Sequence, residues 1–133
     1  MPYATTLRYS IDLPPCPYCS VSAEDAWVLT DYVLAMPHPE PLASCHVVVA
    51  PRRHVANFYD MDVQEQRMLW DLVEEIRKRI AVSLKVEGFD IGFSDAPPGD
   101  DGSAHAHVHV LPRIPGESIE LPAEVQWVDI NSQ

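Results

Sequence analysis

The sequence predicts an α+β domain, an antiparallel sheet with one long helix packed on one face. Three observations lead there. A single stretch, Val63 to about Val86, has helical spacing of its apolar residues. The other apolar runs are short and joined by short loops, in the order hairpin, strand, helix, strand, strand. The stretch His105-Ala-His-Val-His-Val-Leu-Pro-Arg113 alternates polar and apolar residues with period two, which is the pattern of a strand with two unlike faces.

The elements follow in chain order. Residues 1 to 15 are polar, end in Pro14-Pro15 and read as an irregular lead-in. Cys16-Pro-Tyr-Cys19 follows, a C-x-x-C knuckle. Trp27-Val-Leu-Thr and Tyr32-Val-Leu-Ala-Met, joined at Thr30-Asp31, read as a β-hairpin. Pro37-His-Pro-Glu-Pro41 breaks the second strand into a loop. Val47 to Ala50 form a buried strand, with His46 at its start and a cationic exit, Arg52-Arg53-His54. Asp62 and Glu65 make a capping box for the helix. Leu69, Leu72, Val73, Ile76, Ile80 and Leu84 supply its core stripe, and Gly88 its C-cap. Phe89 to Ser94 read as a strand, and Asp95 to Ser103 as a loop running into the histidines. Val125 to Ile130 close the chain as a short extended segment. The whole of residues 1–133 reads as one domain, without repeats or linkers.

Composition narrows the function. The chain has 133 residues and a net charge of −11, which argues against a general nucleic-acid binder. It still allows a small phosphorylated ligand held by local cations, with Arg52, Arg53 and Arg113 as candidates. No stretch has the run of apolar residues needed to span a membrane. The first residues lack a basic region followed by an apolar core, so a cytoplasmic location is expected. Three cysteines, Cys16, Cys19 and Cys45, read as thiols or metal ligands rather than a disulfide framework.

Chemistry concentrates in two places. His105, His107 and His109 should project from one sheet face. A merely solvated face would carry Thr, Lys, Glu or Ser, so two readings compete: a metal site, or an acid-base or nucleophilic histidine flanked by anion-binding ones. The knuckle follows two prolines and precedes a turn, not the strand-to-helix junction of a redox dithiol, and zinc is favoured. It is half a site, with no second C-x-x-C in the chain, so histidines must complete it. Gly102-Ser103 could bring backbone N–H groups to an anion, or be a plain solvent loop.

At these residues the chain resembles the histidine triad family, whose signature is His-φ-His-φ-His-φ-φ with φ apolar. His105-Ala-His-Val-His-Val-Leu111 matches at every position, and Pro112-Arg113 matches a common extension. The resemblance runs from Cys16 to about Val128 and includes the His-Val-Val-Val-Ala-Pro-Arg-Arg-His stretch, the long helix and Gly-Phe-Asp-Ile-Gly-Phe. It implies an antiparallel five-stranded sheet, commonly in a homodimer. It implies nucleotide hydrolysis or nucleotidyl transfer at an α-phosphate, with His107 as the nucleophile and His109 and His46 contacting the phosphate and assisting the leaving group. It implies a structural Zn2+ on Cys16, Cys19, His54 and His105. Substrate contacts are expected from His38, Ser94, Gly102, Ser103 and Arg113.

Some positions depart from the family pattern. Cys45 replaces a common glycine, His38 a common Asp or Asn on the ribose, and Ser94 a common Asn. Asp100-Asp-Gly-Ser103 replaces the usual Gly-Gln-Ser/Thr before the triad. A dinucleoside polyphosphate or an adenylyl conjugate such as a phosphoramidate is the substrate class implied. The rival reading is a non-catalytic zinc domain that binds a nucleotide or a protein partner.

Overall fold

The computed structural model describes residues 16–94, 96 and 99–128; the lead-in and the last residues of the terminal segment lie outside the described residues. Among the described residues six strands form one sheet: β1 (Val28–Leu29), β2 (Val33–Pro37), β3 (Val47–Pro51), β4 (Gly88–Phe93), β5 (Val108–Arg113) and β6 (Gln126–Val128). Their spatial order is β1-β2-β3-β5-β4-β6, and each neighbouring pair is antiparallel. The expected hairpin is β1–β2, closed by the Thr30 hydroxyl, which donates to the Val33 carbonyl and accepts from the Val33 amide.

The helix, α1 (Val63–Ser83), starts where its capping box places it. The Asp62 carboxylate accepts from the Glu65 amide at 2.8 Å, and Glu65 accepts from the Asp62 amide at 3.0 Å. Glu65 is buried and also receives Arg53, whose Nη2 lies 2.7 Å from its Oε1, so the N-terminus of α1 is tied to the end of β3. α1 packs on β2, β3 and β5 through Leu69, Leu72, Val73, Ile76 and Ile80.

Strand alternation then divides the sheet cleanly. Val33, Ala35, Val47, Val49, Ile91, Val108 and Val110 face α1 and form the main core. Leu34, Val48 and Ala50 face the other way and are covered by Tyr18 of the knuckle, with Cys16 and Val21 packed at its margin. The knuckle thus lies on the face that carries the histidines.

Four expectations need correction. The sheet has six strands, not five, because residues 126–128 pair with β4. β5 begins at Val108, so only His109 of the triad lies within a strand. The alternation nevertheless continues backwards: Ala106 is in the main core and its amide donates to the Val55 carbonyl. α1 ends at Ser83, with Leu84 extended as its C-cap and 36% exposed, so Leu84 leaves the core stripe. Gly88 opens β4 instead of capping the helix. Its φ is +155°, and a Cβ there would stand 2.8 Å from Arg113 Nη2, so the glycine makes room for the guanidinium across the strand pair.

Candidate functional site

The first cluster is built by the knuckle, the β3 exit and the segment before β5. Cys16 Sγ lies 3.3 Å from His105 Nδ1, and Cys19 Sγ lies 3.1 Å from His54 Nδ1 and 3.5 Å from His105 Nδ1. Both imidazoles are oriented from behind. His105 Nε2 donates to the Pro51 carbonyl at 2.7 Å, and His54 Nε2 to the Gly102 carbonyl at 2.8 Å. A neutral ring with its hydrogen on Nε2 presents a lone pair at Nδ1, and metal-binding histidines are commonly held in this way. All four donor atoms lie within 4.8 Å of one another. Around tetrahedral zinc, with bonds of about 2.3 Å to sulfur and 2.0 Å to nitrogen, an S···N separation is about 3.6 Å. The three S···N separations of 3.3, 3.1 and 3.5 Å therefore lie within a few tenths of an ångström of what such an ion requires, and the donor set fits it. Burial and the neighbouring Cys16 push the Cys19 thiol up to about 11, a penalty on the thiolate that a cation at the centre would reverse.

The second cluster is a chain of imidazoles across β3 and β5. The register sets Val48 opposite His109, and His46, two residues earlier on the same face, reaches the same ring. The Leu42 amide donates to His46 Nδ1 at 3.1 Å, so a neutral His46 carries its hydrogen on Nε2. That nitrogen lies 3.0 Å from His109 Nδ1 and donates to it. His109 therefore keeps its hydrogen on Nε2, which makes no hydrogen bond among the described residues. Burial, then the neighbouring imidazoles, hold His46 down to about 4 and His109 down to about 3, so both are neutral at pH 7.

His107 sits between the clusters. Its Nδ1 donates to the His105 carbonyl at 2.9 Å, and its Nε2 lone pair has no hydrogen-bond partner among the described residues. Burial lowers its pKa below the ordinary range, so the ring is unprotonated. Tyr18 stacks on one face at 5.0 Å between centroids and 28°, and His109 meets it edge-on at 4.8 Å. A cleft of about 290 Å³ opens beside it, lined by Tyr18, Ser94, Ser103 and His107 among others.

His38 stacks on His46 at 4.4 Å and 16° and lies 5.5 Å from His109. Its Nδ1 accepts from the Glu40 amide at 2.9 Å, so its hydrogen is on Nε2. A groove of about 360 Å³ runs along its outer side, between Met36-Pro37-His38-Pro39 and Pro17, Ser20 and Val21. His38, His46 and His109 also bring donor atoms within 4.8 Å. They do not suit a metal: lone pairs lie in the ring plane, and the two nearly parallel, stacked rings cannot aim theirs at one point.

Other predicted residues are placed less simply. Ser94 and Ser103 reach the cleft beside His107. The Gly102 and Ser103 amides are already taken, by Asp100 Oδ2 at 2.9 Å and Asp101 Oδ1 at 3.0 Å. The two acidic side chains are thus folded onto their own loop. Arg113 is not brought to the cluster: it ends β5 four residues beyond His109, about 13 Å along a strand, and lies 3.7 Å from Asp90. Arg52 donates to the Thr30 carbonyl and Arg53 is bound to Glu65, so the three candidate cations all serve the scaffold. Two aromatic neighbours escaped sequence reasoning. Tyr18 lies inside the C-x-x-C knuckle, whose pattern specifies only the cysteines, and Trp127, 5.9 Å from His109, sits on the sixth strand.

The sequence and the fold are similar to those of known proteins. The HIT domain family model matches residues 21–116. Over 101 residues the chain is 28% identical to the bifunctional bis(5'-adenosyl)-triphosphatase/adenylylsulfatase FHIT of Arabidopsis thaliana, covering 76% of this chain and 56% of that protein. The chain thus spans a little over half the length of that relative. A solved structure from Streptococcus mutans superposes with a TM-score of 0.68 at 22% identity, covering 84% of this chain and 73% of that one. A Zn-bound histidine triad family protein from Mycobacterium smegmatis gives 0.61 at 18% identity, with 89% and 79% covered. The family match over residues 21–116 and the imidazole geometry agree, and the chain belongs to the HIT domain family.

Proposed function

We propose that the protein is a nucleotide hydrolase or nucleotidyl transferase that attacks the α-phosphate of a dinucleoside polyphosphate or an adenylyl conjugate through a covalent nucleotidyl-His107. The carrying observation is a pair of nitrogens with no partner among the described residues: the Nε2 lone pair of His107, oriented by the His105 carbonyl, and the Nε2–H of the neighbouring His109. Attack by Nε2 forms the N–P bond as the bond from phosphorus to the leaving group breaks, and the leaving group departs with that electron pair. The positive charge on the ring is met by the His105 carbonyl, 2.9 Å from Nδ1. His109, kept in its tautomer by His46, donates to the phosphoryl oxygens as their charge grows. Water then attacks phosphorus and gives up a proton to solvent, the N–P electron pair returns to Nε2, and the nucleotide leaves His107 as neutral imidazole. An acceptor other than water makes the same chemistry a transfer.

The nucleoside would occupy the groove along His38, whose Nε2–H offers a donor where a carboxylate would offer an acceptor. Ser94 and Ser103 would line the cleft beside the phosphate. Zinc would be held by Cys16, Cys19, His54 and His105. When bound it supplies rigidity and holds His105, whose carbonyl orients His107; no chemical step passes through it. A homodimer and a cytoplasmic location complete the reading, and sedimentation at micromolar concentration checks the first. No described helix is long and apolar enough to cross a membrane.

The activity of the Arabidopsis relative, as its name gives it, favours this class. The capped amides of Gly102 and Ser103 favour the rival, a binding-only domain. Turnover separates the two. The purified protein, offered a panel of dinucleoside polyphosphates and adenylyl phosphoramidates, should release mononucleotide, and His107→Asn should not. Tight binding of the panel without product would support the binding domain.

A further inference from the structure

The chain's last described strand places one large side chain against the imidazole chain. Across the sheet, Trp127 pairs with Gly92, Gly92 with His109, and His109 with Val48, so the four share a row and a face. A Cβ on Gly92 would stand 2.5 Å from Trp127 Cε3 and 2.8 Å from Cδ2. The indole therefore lies directly over the glycine. Gly92 is not among the glycines with a positive φ, so the position needs glycine for space rather than for backbone freedom. The indole is held from its other end as well: Nε1 donates to the Pro122 carbonyl at 3.0 Å. Through the gap above Gly92 it reaches His109, with centroids 5.9 Å apart and an angle of 40°.

We propose that Trp127, seated on Gly92, is a positioning residue for His109. The inference rests on the proposed role of His109 as a hydrogen-bond donor to the transferred phosphoryl group. One hydrogen bond, from His46 Nε2 to His109 Nδ1, sets the tautomer of that ring. A single bond does not hold the ring against rotation about its side-chain torsions, and such rotation breaks the bond to His46 and sweeps Nε2–H away from His107. Contacts on the ring faces stop that motion. His38 and His46 stand on the β2–β3 side, and Trp127 supplies the wall on the β4–β6 side. The indole N–H is already bonded, so its contribution is steric and excludes water.

The test uses the zinc-loaded full chain with Trp127→Phe, Trp127→Ala and Gly92→Ala. Gly92→Ala displaces the indole, together with Val125 whose Cγ1 would lie 2.7 Å from the new Cβ, without altering either side chain. Trp127→Ala and Gly92→Ala should each lower kcat by roughly 10- to 100-fold, as a small misplacement of a group acting on the reacting centre does. KM should stay within about two-fold, because the residue touches no substrate. Trp127→Phe, which keeps a ring in place, should recover most of kcat. Zinc content and circular dichroism should match the wild type in all three. Independently of any substrate, long-range 1H–15N spectra should show His109 locked with hydrogen on Nε2 in the wild type and Trp127→Phe, and averaging between tautomers in the two alanine variants. Wild-type kcat and a locked His109 in both alanine variants would overturn the proposal, and so would a loss carried by KM alone. If the wild type turns over no compound in the panel, the proposed function fails, while the spectra still decide the positioning role.

Discussion

Lowering the pH should unfold this protein earlier than its carboxylates require, because two neutral histidines are locked in its sheet. His46 is held down to about 4 and His109 to about 3, from an ordinary 6.5. In the unfolded chain both take up a proton as the pH falls through 6.5. In the folded chain they resist until pH 4 or below. The unfolded state thus binds more protons between these limits, and stability must fall with pH there. The contribution is fully present above 6.5, is lost as the pH drops, and has no more to lose below the folded values. Integrating from pH 6.5 to 4.5 gives a loss of about 2 kcal/mol per histidine, about 4 kcal/mol for the two. Against a total of about 5–15 kcal/mol, that is a large share. The assay is urea unfolding followed by circular dichroism at both pH values, on wild type and His109→Asn. Zinc loss in acid affects both proteins alike and cancels in the comparison. The wild type should lose about 2 kcal/mol more than the variant over this range. Equal losses would show that His109 is not held neutral by its surroundings, and the reasoning about the imidazole chain would fail.

Three further outcomes follow from single sites. Cys16→Ser or His54→Ala should lower the melting temperature far more than an ordinary surface change, and a chelator should do the same to the wild type; stripping the metal without a shift would remove the structural role of the site. Cys45 has φ +61°, a left-handed conformation that strains a non-glycine residue by about 1–2 kcal/mol, while glycine carries about 0.5–1 kcal/mol of extra chain entropy. Cys45→Gly should therefore be at least as stable as the wild type, and a clear drop in melting temperature would contradict that balance. Glu65→Ala removes the acceptor of both Arg53 and the Asp62 amide and should destabilise by about 2 kcal/mol, read by urea unfolding.

What could be read from sequence was what short-range chemistry specifies. The histidine alternation survives even where β5 has not begun, because Ala106 must enter the core and so turns His105 and His107 the other way. The capping box is a contact between residues three apart, and it formed as written. The strain at Cys45 agrees with the glycine expected there from the family pattern. The errors were of longer range. Arg113 follows the triad in sequence, but a strand carries it away from His109 and Asp90 lies across from it. The loop amides of Gly102 and Ser103 looked available because the pattern showed the glycine. The two aspartates, each two residues upstream, were instead poised to cap them. Tyr18 and Trp127 matter only through pairings between distant segments, the knuckle against the segment before β5 and β6 against β4, and no local spacing encodes those.

Trapping the intermediate tests the central claim most directly. Wild-type protein turning over a substrate from the panel would be quenched in denaturant at neutral or alkaline pH, since a phosphoramidate bond to imidazole hydrolyses in acid. The digested protein would then be read by mass spectrometry. A covalent nucleotidyl group on His107 is expected, together with a loss of several orders of magnitude in kcat for His107→Asn. Full turnover by His107→Asn, or rapid wild-type turnover with no adduct under any quench, would contradict the account; the second result would make water the nucleophile and His107 its base.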